Sequence, residues 1–462
     1  MLRSLLFILL LTLSFALNQW HHDLYLDATQ SFASRYFNAE NWLLFEQRLD
    51  HFSGQEEATW MQRYCYNLAK GFKNGQPIFV YIGGESRMRD NTCDNGYIPE
   101  LAKKLQGAVF ALEHRFYGES YPLPDLTTES LEYLSSKQAL FDLAYFTQNI
   151  KNKFPDSPVI IVGGSYPGNL AAWSRQMFPH LYAGAWSSSA PVLAKEDFYE
   201  YDMQVRNSLS LGCQINVGLA TGKIEKLLDN PETARLIKRR FRAENISDNI
   251  EFLYVLADAT AFAVQYNYIT AMCNRLESAH DVVEGFQDFF EWLMDFLDTT
   301  PYEWTTSSHT DTKKDTHGNV RQWMYQSCNE FGYWQIANPE NPMRSKQIDV
   351  GYHRRLCKKL FNKGHFIPDI NGTNTYYGGL GYGGYNTAFA NGSLDPWKHL
   401  GIRPERLTPQ MENRHCGAVE IEKEAHCADL HASSSNDSEA LKKGREFMVE
   451  HVMKFLDEFY NQ

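Results

Sequence analysis

One stretch constrains this chain more than any other: Val159-Ile160-Ile161-Val162-Gly163-Gly164-Ser165-Tyr166-Pro167-Gly168-Asn169-Leu170-Ala171-Ala172-Trp173. Its opening β-branched run suits a strand buried on both faces. Leu170, Trp173 and Met177 then recur at helical spacing, and Pro179 closes the pattern. A strand that passes straight into a helix forces the residue between them into a strained backbone conformation. Glycines on either side let neighbouring main chain approach without Cβ clashes. Ser165 occupies that turn, so its hydroxyl is held at the carboxyl end of a sheet above a helix amino terminus. The plainer alternative is a tight strand–helix turn with a capping serine.

That arrangement resembles the nucleophile elbow of α/β-hydrolases. It departs from the Gly-x-Ser-x-Gly pattern at one place, where Pro167 stands fifth and the glycine is displaced to Gly168. Proline is tolerable there because first-turn N–H groups lack intrahelical partners.

At 462 residues the chain is long for one simple domain but not for a hydrolase core carrying an insertion. Met1-Leu2-Arg3, an apolar run from Ser4 to Phe15 and the small-x-small site Ser14-Phe15-Ala16 read as a signal peptide over residues 1–16. No later segment is long and apolar enough to cross a membrane, so a soluble protein of the secretory pathway is expected. The eight cysteines at 65, 93, 213, 273, 328, 357, 416 and 427 fit that compartment. Their even number suggests disulfides of unreadable connectivity. No Cys-x-x-Cys pair occurs, so neither a zinc ribbon nor a redox motif is expected. Asn245, Asn371 and Asn436 are candidates for glycosylation. Asn391 is a fourth sequon, but it falls in a loop of the expected site and is not expected to carry sugar. A net charge of −12 argues against nucleic acid as a partner, since phosphate binding needs a basic footprint.

Taken in order, Phe45 to Phe52 is followed by Trp60 to Tyr64, whose alternation suits an early strand. His21-His22 is read as an ordinary exposed pair rather than a metal site. Pro77 to Ile82 is a buried strand running into Gly83-Gly84, which in an α/β-hydrolase supplies one backbone N–H of an oxyanion hole; the other is that of Tyr166. Ala108 to Leu112 makes the next strand. The Glu113-His114-Arg115 cluster after it reads as a hydrogen-bonded structural node, and Ser120 as a poor nucleophile. Leu131 to Ile150 is amphipathic and helical. From about 76 to 190 the order strand, strand, helix, strand, helix, strand implies a parallel sheet covered by helices.

From about 195 to 330 only helical patterns occur, notably Glu251 to Tyr268 and Val282 to Leu297, whose aromatic stripe reads as core. The expected division is core over 17–194, an all-helical cap over 195–330 and core again over 331–462. Asn386 to Ala390 reads as a late strand, followed by Asn391-Gly392-Ser393-Leu394-Asp395-Pro396-Trp397. An acid just past a late strand is where this fold places the carboxylate that orients a histidine. Of His399, His415 and His426, the last lies on a loop shortly before the final helix, expected over about 438 to 460. The order Ser165, Asp395, His426 is that of the hydrolases. The cysteines and histidines around 415–431 could also suggest zinc, but disulfides explain Cys416 and Cys427 more simply.

These motifs resemble one family of secreted and lysosomal serine peptidases, which includes prolylcarboxypeptidase, dipeptidyl peptidase II and thymus-specific serine protease. The resemblance runs from about residue 45 to the end. It rests on Gln47-Arg48-Leu49-Asp50-His51-Phe52, Gln62-Arg63-Tyr64, Ile82-Gly83-Gly84-Glu85, Glu113 to Ser120, Leu134 to Leu140, Gly163-Gly164-Ser165-Tyr166, Ser188-Ser189-Ala190-Pro191 and Asn391 to Trp397. The resemblance implies Ser165 as nucleophile, Asp395 as orienter and His426 as base. It also implies a helical cap and a preference for proline before the cut bond, with no metal or organic cofactor. The histidine followed by Cys427, and the displaced elbow glycine, look more like the thymus-specific branch; Pro167 could disturb the turn and slow turnover. An esterase or lipase on the same fold, or a secreted binding protein, stay open as alternatives. Carboxypeptidase, dipeptidyl peptidase and endopeptidase action fit the residues equally, as do secretion and lysosomal delivery. A homodimer is compatible with the sequence but not read from it.

Overall fold

The computed structural model describes residues 42–55, 57–314, 319–362 and 367–461. The expected signal segment and His21-His22 lie outside these residues. The sheet has eight strands in the order β1-β2-β4-β3-β5-β6-β9-β10. The first two, β1 (Leu43–Arg48) and β2 (Thr59–Leu68), form an antiparallel hairpin, and β2 runs antiparallel to β4. The rest of the sheet is parallel: β3 (Ile78–Ile82), β4 (Ala108–Leu112), β5 (Val159–Gly164), β6 (Gly184–Ser188), β9 (Thr387–Gly392) and β10 (Gly417–Ile421).

The pleat of β5 explains why its sequence is apolar at successive positions. Val159 and Ile161 face one layer of core, Ile160 and Val162 the other, and all four are fully buried. Burying each such side chain contributes about 2 kcal/mol. Helices α2 (Ser136–Lys153) and α3 (Tyr166–Met177) cover the first face with Leu140, Leu143, Phe146, Leu170 and Trp173. On the second face lie α1 (Tyr97–Lys104) and the C-terminal helix α14 (Glu439–Tyr460), through Ile98, Leu101, Met448, Val452 and Phe455. Ser135 and Ser438 start α2 and α14 by accepting the N–H of Gln138 and Leu441, as capping serines do.

Helix α1 stands between the two strands that the sequence pattern read as consecutive. It has only eight residues, enters through Gly96 and carries Pro99 in its first turn, so its periodicity is too brief to register. Strand β10 likewise went unanticipated, because Glu420 interrupts a five-residue run.

Between β6 and β9 the chain is mostly helical. A short parallel pair, β7 (Lys195–Asp197) with β8 (Gly332–Trp334), brackets this segment. Within it lie α4 (Tyr199–Asn207), α5 (Leu211–Leu227), α6 (Pro231–Arg240), α7 (Asn249–Gln265), α8 (Ile269–Ser278), α9 (Val282–Phe296) and α10 (Val320–Gln326). The aromatic stripe of α9 is core, with Phe286, Phe289 and Phe290 buried. Helices α11 (Val350–Phe361), α12 (Ile370–Tyr377) and α13 (Pro409–Asn413) complete the order.

Disulfides join Cys65 to Cys93, Cys213 to Cys273 and Cys328 to Cys357. The reading of Cys416 and Cys427 as disulfide-bonded is overturned. Both are free thiols, because Cys416 is buried under the carbonyl of Gly384 while Cys427 packs on the turn before Ser165. Among the described residues no His/Cys/Asp/Glu cluster could hold a metal, and no helix is long and apolar enough to cross a membrane.

Candidate active site

Strand order reverses around β3: the chain steps from β3 to β4 on one side and to β5 on the other. Such a switch point opens a crevice at the strands' carboxyl ends, and the Gly83-Gly84 loop and Ser165 both lie there. Ser165 has φ 63° and ψ −134°, a strained conformation for a side-chain-bearing residue, and its hydroxyl does not cap α3. The strain is held from both sides. Its N–H donates to Ser188 (2.9 Å), and its carbonyl accepts from Gly168 (2.8 Å) and Asn169 (3.3 Å).

Two glycines are demanded by close approach. A Cβ at Gly163 would lie 2.1 Å from the Pro167 carbonyl oxygen, and one at Gly168 would lie 2.7 Å from that of Ser188. Gly168 thus meets the neighbouring strand, and Pro167 fits the first turn of α3, where its missing N–H costs nothing.

Asp395 follows β9 and is fully buried. One of its oxygens accepts the N–H of Trp397 (3.0 Å), and the other accepts Nδ1–H of His426 at 2.8 Å. His426 is itself buried and donates its backbone N–H to Gln265 at the end of α7 (3.1 Å). Burial disfavours an imidazolium here, yet the Asp395 charge, with lesser help from Cys427, outweighs it and holds the imidazole pKa well above its ordinary value.

Ser165, His426, Tyr166, Gly83 and Gly84 line one cavity of about 390 Å³, an ordinary size for a small-ligand site. Its roof draws on the helical segment, with Gln265, Tyr266 and Trp323 among its lining. The N–H of Gly83 is spent in the sheet, donating to Leu112 at 2.8 Å, so within the glycine pair the N–H not held by the sheet belongs to Gly84.

The other candidates are placed elsewhere. His399 meets Gln204 (3.0 Å), with burial lowering its pKa to about 4. His415 is an exposed partner of Glu458. Ser120 donates to Glu113 (2.8 Å). The sequons Asn245, Asn371 and Asn436 are exposed, whereas Asn391 is buried and donates to Ile402 (2.8 Å).

The Glu113-His114-Arg115 node is structural, and it also reaches the site. Glu113 accepts Arg63 (3.0 Å), and Arg115 grips Asp142 with two bonds of 2.6 Å. The carbonyl of Arg115 accepts from His114 Nδ1–H (2.8 Å), which leaves Nε2 to accept the Tyr166 hydroxyl (3.1 Å). Burial lowers the His114 pKa to about 4, so it serves as a neutral acceptor. Tyr166 is therefore fixed from beneath, by His114 and by Gln326 (3.0 Å). That second role was not legible, because nothing in the sequence spacing joins His114 to residue 166.

The cavity also holds two groups the motifs did not assign. Cys427 lies so close to the elbow that a Cβ on Gly164 would sit 2.8 Å from its Sγ. Glu85 is the second, and burial raises its pKa.

A mostly parallel sheet with its turn serine at a switch point, covered by helices on both faces, is the α/β-hydrolase fold. The chain belongs to the serine carboxypeptidase S28 family, which it matches over residues 47–448. It is 35% identical to the probable serine protease EDA2 of Arabidopsis thaliana, over 92% of this chain and 90% of that protein. It is 29% identical to the thymus-specific serine protease of Mus musculus, covering 90% and 87%. With the lysosomal Pro-X carboxypeptidase of Homo sapiens it shares 26% identity, covering 91% and 89%. Among solved structures, the peroxisomal α/β-hydrolase Lpx1 of Saccharomyces cerevisiae is similar at TM-score 0.41 and 9% identity, covering 90% of this chain and 88% of that one. The chain is accordingly a serine-type peptidase, and its substrates are peptides.

Proposed function

We propose that Ser165, His426 and Asp395 carry out two-step acyl transfer on peptides, with proline preferred before the cut bond. The observation that carries this reading is the 2.8 Å bond from buried His426 to buried Asp395, on the wall of the cavity that Ser165 lines. Ser165 Oγ attacks the peptide carbonyl carbon as its proton passes to Nε2 of His426, the ring nitrogen not committed to Asp395. Asp395 holds the tautomer and stabilises the imidazolium. The N–H groups of Tyr166 and Gly84 receive the oxyanion, each donor contributing about 3 kcal/mol. The imidazolium then protonates the leaving amine nitrogen, and the C–N bond breaks. Water, deprotonated by the same imidazole, releases the acyl group and restores Ser165. The reaction needs only side chains and main-chain N–H groups.

Tyr166, Trp323, Trp397 and Pro191 line the cavity, and a flat, apolar pyrrolidine ring packs well against such surfaces. The helical segment over 195–330 acts as a cap, excluding water from the acyl-enzyme. Three disulfides and the lysosomal relative support passage through the secretory pathway. The test is a panel of peptides with proline or alanine before the bond, set beside short-chain esters of equal size. The reading expects kcat/KM at least about tenfold higher for the proline peptides. Ester turnover without peptide cleavage would replace it with the esterase alternative.

A further inference from the structure

Glu85 has no part in the acyl-transfer steps, yet it follows the glycine pair directly and lines the cavity with Ser165 and His426. Its carboxylate bonds its own backbone N–H, and the positive group that acts on it is the imidazole of His426. Its charge in turn is felt by the phenols of Tyr117, Tyr266 and Tyr333. This sets the carboxyl where the oxyanion loop, the core and helix α7 meet. Glu85 is half-buried, and shielding a carboxylate from water without a full counter-charge is costly. At three other carboxyl groups a guanidinium meets that cost: Arg63 serves Glu113, Arg115 serves Asp142 and Arg344 serves Asp202. Glu85 instead opens on a cavity whose lining includes Tyr166, Tyr266 and Trp323 together with Arg89 and His431. A carboxylate among aromatic rings is the composition that receives an ammonium group.

We propose that Glu85 binds the free amino terminus of the peptide substrate, so that the chain is cut a short, fixed distance from that end. The proposal rests on the acyl-transfer reading above and adds the end of the chain that is recognised. An unblocked amine sets a full positive charge beside Glu85 and draws it into the carboxylate form. A terminal carboxylate at the same place is repelled, which disfavours the opposite orientation. The released product is then an amino-terminal fragment ending at the attacked carbonyl.

The test uses the full chain and two proline-containing peptides that differ only in a free or acetylated amino terminus. Wild type is expected to favour the free peptide in kcat/KM by at least about thirtyfold, within reach of one charge-assisted contact. Glu85→Gln should bring that ratio within about threefold of unity, mainly by raising KM for the free peptide, and Glu85→Asp should retain part of the preference. Equal cleavage of both peptides by wild type, or an unchanged ratio in Glu85→Gln, overturns the proposal. Fluorophosphonate labelling of Ser165 runs alongside. An unchanged ratio with normal labelling removes only the amine site, whereas a wild type that neither labels nor cleaves removes the acyl-transfer reading beneath it. If Glu85→Gln fails to label, the wild-type ratio and Glu85→Asp decide.

Discussion

Gly84→Ala puts the oxyanion proposal under the sharpest strain with the smallest change. A Cβ at position 84 would stand 2.9 Å from Cγ and 3.3 Å from Cδ of Pro167. Carbon atoms in contact rest at about 3.5 Å or more, so roughly 0.6 Å must be found. The proline ring cannot swing aside, because it is locked into the first turn of α3 beside Ser165. The loop must therefore withdraw, and the N–H of Gly84 goes with it. A donor set at about 2.9 Å from an oxyanion then falls near 3.5 Å, where a hydrogen bond is largely lost. The loss is about 3 kcal/mol of transition-state stabilisation, or a fall in kcat of roughly 10²- to 10³-fold with KM little changed. Steady-state kinetics on one proline peptide measures this, with thermal unfolding as the control for folding. A variant with kcat within about threefold of wild type would refute the assignment of this N–H.

Two further outcomes depend on charge. Asp395 raises the His426 pKa against the effect of burial, so Asp395→Asn leaves burial dominant and the imidazole stays neutral to lower pH. The acid limb of kcat/KM should move down in pH while kcat falls by about 10⁴-fold; an unmoved limb would show that another group sets it. Glu330, bonded by the N–H of Ser136 (3.0 Å) and its hydroxyl, has its pKa raised by burial to about 7. The native state thus keeps a proton that the unfolded chain releases near 4.5, and this group's contribution to stability falls as pH rises from about 4.5 to 7. Glu330→Gln should reduce the difference in unfolding free energy between pH 5 and pH 7.5 by about 2 kcal/mol, after allowance for partial exposure. Identical urea-derived pH slopes in the two proteins would contradict it.

What the sequence disclosed follows from how local each signal is. The elbow was legible because Val159 to Ser165 holds strand, turn and strained residue in one uninterrupted run. The pairing of Asp395 with His426 was legible because chain order and position before α14 restrict which acid and which histidine can meet. The aromatic stripe of α9 announced a buried helix by its spacing. Groups whose roles arise only from tertiary contact stayed hidden. Gly83 and Gly84 look alike until the β3–β4 ladder takes the N–H of one. The free state of Cys427 follows from its packing against Gly164, and Glu85 stands out only once the charges around it are known. The Tyr166 support from His114 bridges fifty-two positions and leaves no periodic trace.

The central claim is that Ser165 is a nucleophile whose reactivity depends on His426. It is tested most directly by exposing wild type, Ser165→Ala and His426→Ala to a fluorophosphonate and locating the adduct by mass spectrometry of the digested chain. The account predicts one adduct, on Ser165, in wild type, none in Ser165→Ala, and labelling slowed by at least about a thousandfold in His426→Ala. Label on Ser165→Ala equal to that on wild type, or full-speed labelling without the imidazole, would contradict it.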